Sequence, residues 1–229
     1  MGPMVQRLVD WLRARSRRRR GRLFCEHLNP RESDRILDLG SEDGSHIASI
    51  IPYRKNVVIA DICREDLERG QRAFGFQTLS LRENERLPIE DQAFDIVYSS
   101  SVIEHVTVPK SRMYDYPTWR AFCLRALRQQ KRFADEIRRV GKNYFVQTPN
   151  KHFLIESHSW LPLVNFLPRK LLVSLLKWSN RYWIKQTIPD FNLLSARQMK
   201  RLFPDATIVR EQFLFLTKSL IAIKAGRPS

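Results

Sequence analysis

The chain has 229 residues, of which 43% are hydrophobic, so it can bury a sizeable core and wholesale disorder is excluded. Its three cysteines (Cys25, Cys63 and Cys123) form no CxxC pair, which excludes a disulfide framework and a cysteine zinc site and is typical of a reducing compartment. The formal net charge of +16 favours an anionic partner, which can be a nucleic acid, a lipid surface or an acidic small molecule.

The N-terminal segment combines a predicted helix with a run of arginines. Residues 4–20 have apolar side chains at helical spacing, and the helix is expected to end in the run Arg17 to Arg20. No apolar core follows, and no apolar run is long enough to cross a membrane, so we expect neither a secretory signal nor a membrane span. We predict a basic helical extension over residues 1–30 and one domain over residues 31–229.

From residue 35 onwards, strand-like and helix-like segments alternate. Strands that are separated by helices form parallel sheets, whereas the last two strand-like segments are joined by a short link that is typical of a hairpin. We therefore predict an α/β fold with a Rossmann-like, doubly wound, mostly parallel sheet and a C-terminal antiparallel hairpin. The predicted strands are 35–39, 56–60, 77–81, 94–98, 144–148, 206–211 and 219–225, and the predicted helices are about 44–51, 64–73, 118–140 and one from Val102.

Residues 150–190 interrupt this alternation. They are rich in Leu, Trp and Phe, with Lys and Arg interleaved. We predict that they form an inserted helical cap over the carboxyl ends of the strands, which is where ligands bind in open α/β sheets.

The first predicted strand runs into an acidic glycine turn, RILDLGSEDGSHI, over residues 35–47. The turn fits neither the phosphate-binding loop of P-loop nucleoside triphosphatases nor the GxGxxG motif of dinucleotide-binding folds. A carboxylate some 4 Å from a phosphate charge costs on the order of 4 kcal/mol at an effective dielectric constant near 20, which argues against pyrophosphate beside Glu42 and Asp43. S-adenosylmethionine fits better, because it carries a sulfonium and an ammonium. Asp38 and the loop can hold the ammonium end, and Gly40 lets the backbone approach closely.

Further motifs follow in order along the chain. Asp61 ends the second strand, where an acid can accept hydrogen bonds from both ribose hydroxyls. Residues 81–106, LRENERLPIEDQAFDIVYSSSVIEHV, supply an acid after the third strand, an LP turn and a fourth strand that opens on FD. With these motifs, roughly residues 33–149 resemble the class I S-adenosylmethionine-dependent methyltransferases, in particular the small type-11 group with its LP-x-x-D-x-x-FD-x-V segment and EHV ending. Glu42 departs from the common DxGxGxG pattern by replacing the middle glycine.

The resemblance implies roles for individual residues. The predicted cofactor-binding set is Asp38, Gly40, Ser41 and Gly44 at the methionine end, Asp61 and Ile62 at the ribose end, Glu83 and Asn84 by the adenine, and Ser100 near the methyl-bearing sulfur. Two of these residues have an alternative interpretation, since Asp61 can also be a helix N-cap and Glu83 a solvated loop acid. The histidines show no ligand spacing, and no metal is assigned.

Two of the histidines are considered as a general base. His158, in the ESHSW segment of the predicted cap, is the preferred catalytic candidate, because a neutral imidazole can take a hydroxyl proton as the methyl is transferred. A packing role against Trp160 is equally compatible with the sequence. His105 in IEHV is expected to pack at the start of a helix. A base is not obligatory, because alignment of the nucleophile with the sulfonium can suffice.

These observations predict a methyltransferase that uses S-adenosylmethionine to methylate an oxygen, or with less support a nitrogen or carbon, of a small-molecule or lipid-linked acceptor. One alternative is an RNA methyltransferase, although the chain has no RNP-type aromatic strand and no (D/N)PPY motif. The other is a catalytically inactive protein of the same fold that binds a partner through the cap.

We expect the protein to be cytoplasmic, with reversible attachment to the anionic inner surface of the membrane. Positive charge gathers outside the cofactor segment: residues 1–31 hold nine Lys or Arg against two acids, whereas residues 32–109 hold eight against fifteen. Basic residues beside an apolar stripe bind anionic lipid in a salt-sensitive way.

Overall fold

The computed structural model describes residues 3–40, 42–83, 85–109, 115–116, 118–153, 171, 174–175, 190–213 and 215–226. The strands are β1 (Ile36–Leu39), β2 (Val57–Asp61), β3 (Gln77–Ser80), β4 (Phe94–Ser100), β5 (Gly141–Pro149), β6 (Thr207–Phe213) and β7 (Leu216–Lys224). The helices are α1 (Pro3–Leu28), α2 (Ser45–Ile50), α3 (Arg64–Phe74), α4 (Trp119–Val140) and α5 (Ala196–Leu202), with a 3₁₀ turn at Ile103–His105. Much of the predicted cap, including residues 154–170 and 176–189, lies outside the described residues.

The strands form a seven-stranded sheet in the order β3-β2-β1-β4-β5-β7-β6. β1 pairs in parallel with β2 and with β4, and β2 pairs in parallel with β3. β6 and β7 are neighbours joined by two residues, a link that only antiparallel strands can have. The predicted fold class, a Rossmann-like sheet that is mostly parallel and ends in an antiparallel hairpin, is confirmed.

Contacts divide the chain into two compact units. The first unit contains residues Met1–Ser100, Ile137–Phe145 and Ile223–Ser229, and the second contains Ser101–Glu136 and Val146–Ala222. The strands β1 to β4 lie entirely in the first unit, and so do the glycine turn and the N-terminal helix.

The helix α1 is longer than the sequence pattern predicts. It continues through the arginine run to Leu28, because Arg is a good helix former and because apolar residues continue the buried face beyond the run. The Phe24 ring is fully buried and makes edge-to-face contacts with Tyr98 of β4 and with Phe145 of β5, at centroid distances of 5.1 and 5.7 Å. At Gly21, a Cβ atom would lie 2.9 Å from Ile50 Cγ1, so α1 and α2 pack closely there.

The second unit has its own buried apolar and polar groups. Val108, Phe122 and Ala126 form a hydrophobic cluster in it. The side-chain amide of Gln130 donates hydrogen bonds to the carbonyl oxygens of Ile103 and Asn192, at 2.9 and 2.8 Å. These contacts anchor the segment around the 3₁₀ turn to the middle of α4.

Two local predictions differ from the structure. Val102 does not begin an α-helix, because the described chain makes one 3₁₀ turn at Ile103–His105 and then continues without regular structure to residue 109. The helix α5 was not predicted, although its sequence contains a capping signal. Ser195 accepts a hydrogen bond from the Gln198 backbone N–H, and the Gln198 side chain accepts one from the Ser195 N–H, which is a capping box.

Candidate active site

The carboxyl ends of four parallel strands meet at one edge of the first unit. β1 and β4 are adjacent, but the chain continues from β1 to β2 and β3 on the other side, so the strand order reverses between β1 and β4. In open α/β sheets the ligand binds at this topological switch point, outside the carboxyl ends. The predicted residues Asp38, Asp61 and Ser100 lie at the ends of β1, β2 and β4 and are therefore brought to the same edge.

The turn after β1 has three described residues with positive φ. Gly40, Glu42 and Gly44 have φ values of 76°, 53° and 69°. Glu42 stands at the position of the middle glycine in the common DxGxGxG pattern and adopts a left-handed conformation that glycine reaches without strain. At Gly44 a Cβ atom would lie 2.8 Å from Ile59 Cγ2 and 2.9 Å from Phe76 Cε2. The turn therefore keeps the tight path of a glycine loop despite the substitution.

Asp61 is held by two backbone donors. Its Oδ2 atom accepts a hydrogen bond from the Glu42 N–H at 2.9 Å, and its Oδ1 atom accepts one from the Cys63 N–H at 3.0 Å. Each carboxylate oxygen has two acceptor positions, so the carboxylate can also accept hydrogen bonds from ligand hydroxyls. The side chain is oriented before any ligand arrives.

Asp38 is an almost completely buried acid at the end of β1, with 3% of its surface exposed. Burial, and then the negative charge of Asp61, raises the pKa of the Asp38 carboxyl well above its usual value. A buried carboxyl of this kind is stabilised in its charged form by a nearby cation. Asp38 and Asp61 thus form an acidic pair that fits a positively charged nucleoside such as S-adenosylmethionine.

The second acid of the turn has a structural role. Asp43 Oδ1 accepts a hydrogen bond from the Ser45 N–H at 3.0 Å, and Oδ2 lies 3.7 Å from Arg69 Nε. Burial raises the pKa of Asp43, but the hydrogen bonds from Ser45 and the charge of Arg69 outweigh that effect and lower it. The Asp43 charge is therefore used to fix the start of α2 against α3, and the Glu42 side chain is exposed.

A polar chain that sequence reasoning missed connects α1 and α2 to the end of β4. Arg20 Nη1 donates a hydrogen bond to the Ser100 hydroxyl at 2.7 Å, and His46 Nδ1 lies 3.2 Å from the Tyr98 hydroxyl. Burial, followed by the charges of Arg20 and Arg17, lowers the pKa of His46 to about 4, so its imidazole is neutral at pH 7. The signal for Arg20 was its spacing, since Phe24 and Leu28 lie four and eight residues later on the same helix.

The remaining predicted cofactor residues have varied environments. Ile62 directly follows Asp61 and is 49% exposed, and Glu83 is exposed in the turn after β3. Ser41, Asn84 and the predicted base His158 lie outside the described residues.

The second unit contains a histidine and aspartate pair. His105 Nδ1 lies 3.1 Å from Asp190 Oδ1, and their side chains are 37% and 13% exposed. Thr107 Oγ1 donates a hydrogen bond to the Asp190 carbonyl oxygen at 2.6 Å, which fixes the position of the aspartate. The carboxylate holds one imidazole nitrogen, so the orientation of the His105 ring is fixed. No local sequence pattern indicates Asp190 as the partner, because it is 85 residues away along the chain.

A groove of about 580 Å³ lies elsewhere in the first unit. It is lined by residues 86–91, in the loop that precedes β4, and by Arg139. Arg139 donates hydrogen bonds to the Ile89 carbonyl oxygen and to Asp91, so the residues that line the groove bind one another. It opens at the amino end of β4, away from the switch point, and we do not assign it to the active site. Among the described residues, no group of three His, Cys, Asp or Glu side chains is placed to hold a metal ion.

Comparisons with known proteins identify a related domain family and related folds. The family model described as a methyltransferase domain, type 11, matches residues 37–144. An S-adenosylmethionine-dependent methyltransferase from Aquifex aeolicus is 12% identical, with a TM-score of 0.51 over 89% of this chain and 87% of that one. One from Methanosarcina mazei is 14% identical, with a TM-score of 0.53 over 89% of this chain and 97% of that one.

A protein from Pyrococcus horikoshii is 17% identical and has a TM-score of 0.53 over 92% of this chain and 89% of that one. At these identities the similarity to solved structures concerns the fold. No curated protein sequence matches the chain.

Proposed function

We propose that this chain, which belongs to the class I S-adenosylmethionine-dependent methyltransferases, methylates an oxygen of a small-molecule or lipid-linked acceptor. The cofactor follows from the family. The observation that carries the proposal is the arrangement of Asp38, the left-handed turn and Asp61 at the switch point of the first unit.

Each predicted residue has a role in this proposal. The Asp38 carboxylate takes the ammonium of the cofactor, and the Asp61 carboxylate accepts hydrogen bonds from the ribose hydroxyls. Gly40, Ser41 and Gly44 let the backbone approach the methionine end. Ile62, Glu83 and Asn84 lie by the ribose and adenine, and Ser100 lies near the sulfur.

S-adenosylmethionine, when bound, supplies an electrophilic methyl group on its sulfonium. The protein's own contribution is to align an acceptor oxygen with that methyl and to receive the hydroxyl proton. His158 remains the predicted base.

A lipid-linked acceptor is supported by the surface of α1. Trp11 is 55% exposed, and Arg15 lies over its ring at 5.3 Å from the centroid. A tryptophan among exposed arginines is typical of a helix that lies in a membrane interface. Among the described residues, no helix is long and apolar enough to cross a membrane.

The test uses S-adenosylmethionine labelled in its methyl group. The purified full chain is incubated with a lipid extract, with a small-metabolite extract and with total RNA, and the label is counted in each product after separation. We expect label in the lipid or small-metabolite fraction, and alkaline hydrolysis then distinguishes a methyl ester from a methyl ether.

The other outcomes decide between the alternatives. Label in RNA alone would establish the RNA methyltransferase and overturn the proposal. Binding of S-adenosylhomocysteine without label in any fraction would favour the inactive binding protein. His158→Ala, assayed on the labelled fraction, tests the predicted base: a loss of rate on the order of 10²-fold or more would support it, and an unchanged rate would remove His158 from the reaction.

A further inference from the structure

We infer that Arg20 binds the carboxylate of the methionine moiety of S-adenosylmethionine, which makes the N-terminal helix α1 part of the cofactor site. The inference rests on the proposed function, and it assigns a chemical role to a residue of the arginine run. The run otherwise has the composition of a solvated or membrane-facing surface.

The position of Arg20 is the first argument. Its Nη1 atom donates a hydrogen bond to the hydroxyl of Ser100, the last residue of β4, across 80 residues of sequence. The guanidinium therefore lies at the carboxyl end of β4, which is one side of the switch point. A guanidinium carries five N–H donors in a planar fork, so it can hold a hydroxyl and a carboxylate together.

The packing of α1 is the second argument, because it fixes this position. Phe24, one turn after Arg20, is fully buried against Tyr98 and Phe145. Gly21, the next residue after Arg20, leaves no space for a Cβ atom beside Ile50. Arg20 itself is half-buried, whereas Arg17, Arg18 and Arg19 are exposed. The helix thus carries Arg20 to the end of β4, whereas the side chains of the other three arginines of the run are exposed.

The charges of the cofactor are the third argument. S-adenosylmethionine carries a sulfonium, an ammonium and a carboxylate, and a fixed guanidinium at its binding edge repels the first two groups. Arg20 is compatible with the cofactor where its guanidinium faces the carboxylate, whose negative charge offsets this repulsion. Asp38, on the neighbouring strand β1, supplies the opposite charge for the ammonium, so that the two residues match the two ends of a zwitterion.

Tyr98 of β4 lies near both charges: Asp38 of β1 is its register partner, and Arg20 donates a hydrogen bond to Ser100, two residues further along β4. Burial raises the pKa of the Tyr98 hydroxyl, the positive charge of Arg20 opposes this rise, and the negative charge of Asp38 adds to it. Both charged groups are therefore close enough to the Tyr98 hydroxyl to act on it.

The experiment compares two cofactors that differ in the carboxylate alone. Calorimetric titration of the full chain with S-adenosylmethionine and with decarboxylated S-adenosylmethionine gives four affinities for wild type and Arg20→Ala. We expect Arg20→Ala to weaken binding of S-adenosylmethionine at least 10-fold and to change binding of the decarboxylated form by less than 3-fold. Arg20→Lys, which keeps the charge without the fork, should fall between wild type and Arg20→Ala.

Arg18→Ala is the matched control, because Arg18 is an exposed arginine of the same run. We expect it to leave both affinities unchanged. An equal loss for both cofactors in Arg20→Ala and Arg20→Lys, or no loss for either, would overturn the role of Arg20 while leaving the proposed function intact. A wild-type chain that binds neither cofactor would instead overturn the proposed function, and this inference with it.

Discussion

The backbone N–H of Glu42 donates a hydrogen bond to Asp61 Oδ2 at 2.9 Å. This contact joins the glycine turn after β1 to the last residue of β2, and it exists because Glu42 adopts a left-handed φ of 53°. The backbone of Glu42 thus orients Asp61, the acid that is proposed to hold the ribose, although the Glu42 side chain is exposed.

Replacement of Asp61 by alanine is expected to weaken binding of S-adenosylhomocysteine by about 1–3 kcal/mol, because the ribose hydroxyls lose their acceptor. Calorimetric titration of the purified chain measures the affinity. Asp91→Ala, at an exposed acid of the loop before β4, is the control and should bind as wild type does. An unchanged affinity in Asp61→Ala would remove Asp61 from the site.

The second prediction concerns the backbone strain at Glu42. A left-handed conformation costs a non-glycine residue roughly 1–2 kcal/mol, and glycine removes that cost but loses more entropy on folding. Glu42→Gly should therefore leave the free energy of unfolding unchanged or raise it by up to about 1.5 kcal/mol, whereas Glu42→Val should destabilise by about 1–2 kcal/mol, since β-branched residues tolerate this region worst. Urea unfolding distinguishes them, and equal stabilities would show that the turn has another path.

A third prediction follows from the space around Gly44. Its φ is 69°, and an added Cβ atom would contact Ile59 and Phe76 at less than 3 Å, so Gly44→Ala should destabilise by about 2–4 kcal/mol through strain and overpacking. Gly75→Ala is the matched control. Gly75 has a φ of 73° but has no atom within 4 Å of its added Cβ, so the variant should lose only about 1 kcal/mol. Thermal unfolding measures both losses. Equal losses of stability in Gly44→Ala and Gly75→Ala would contradict the tight packing of the turn.

The fold of the first unit was predictable because its signals are local. Gly40 directly follows β1 and Asp61 ends β2, which the sequence shows directly, and a parallel sheet brings such strand ends to one edge. The common pattern also located the turn, but it did not reveal that Glu42 would keep a glycine conformation. That outcome depends on the Asp61 carboxylate and on the packing of Gly44, which are tertiary contacts.

The contacts that were not predictable join distant parts of the chain. Arg20 and Ser100 are 80 residues apart, and His105 and Asp190 are 85 residues apart. Composition favoured a solvated face for the arginine run, and the continuation of α1 past that run was set by burial of Phe24. A charged residue that lies one helical turn before a buried apolar residue is therefore a candidate for partial burial, even within a run of charges.

Asp38 gives a prediction about pH. Burial and the charge of Asp61 raise its folded-state pKa above the value of 3.8, so the folded protein binds the Asp38 proton more tightly than the unfolded chain does. This contribution to the free energy of unfolding is present below pH 3.8 and is lost as the pH rises through the folded-state pKa.

Asp38→Asn removes that titration. We expect the variant to gain about 1 kcal/mol over wild type at pH 8 and to lose this advantage as the pH falls towards 4, while it binds S-adenosylmethionine more weakly because the ammonium loses its counter-charge. Thermal unfolding between pH 4 and 8 gives the first result and calorimetry gives the second. If the difference in stability between the two proteins is the same at every pH, Asp38 is ionised in the folded protein without a cost in stability.

The last prediction concerns the membrane surface. Trp11 and the exposed arginines 17–19 should attach α1 to anionic vesicles, each charge adding about 1 kcal/mol near the lipid and losing effect with salt. Trp11→Ala should reduce co-sedimentation with vesicles that contain phosphatidylserine, because the interfacial ring is lost, and wild type should not bind neutral vesicles. Salt alone does not discriminate lipid from nucleic acid, since both interactions are screened. A gel shift with RNA run beside the vesicle assay does so: a shift without sedimentation would contradict the membrane proposal, and sedimentation that is equal in wild type and Trp11→Ala would show that Trp11 takes no part in the attachment.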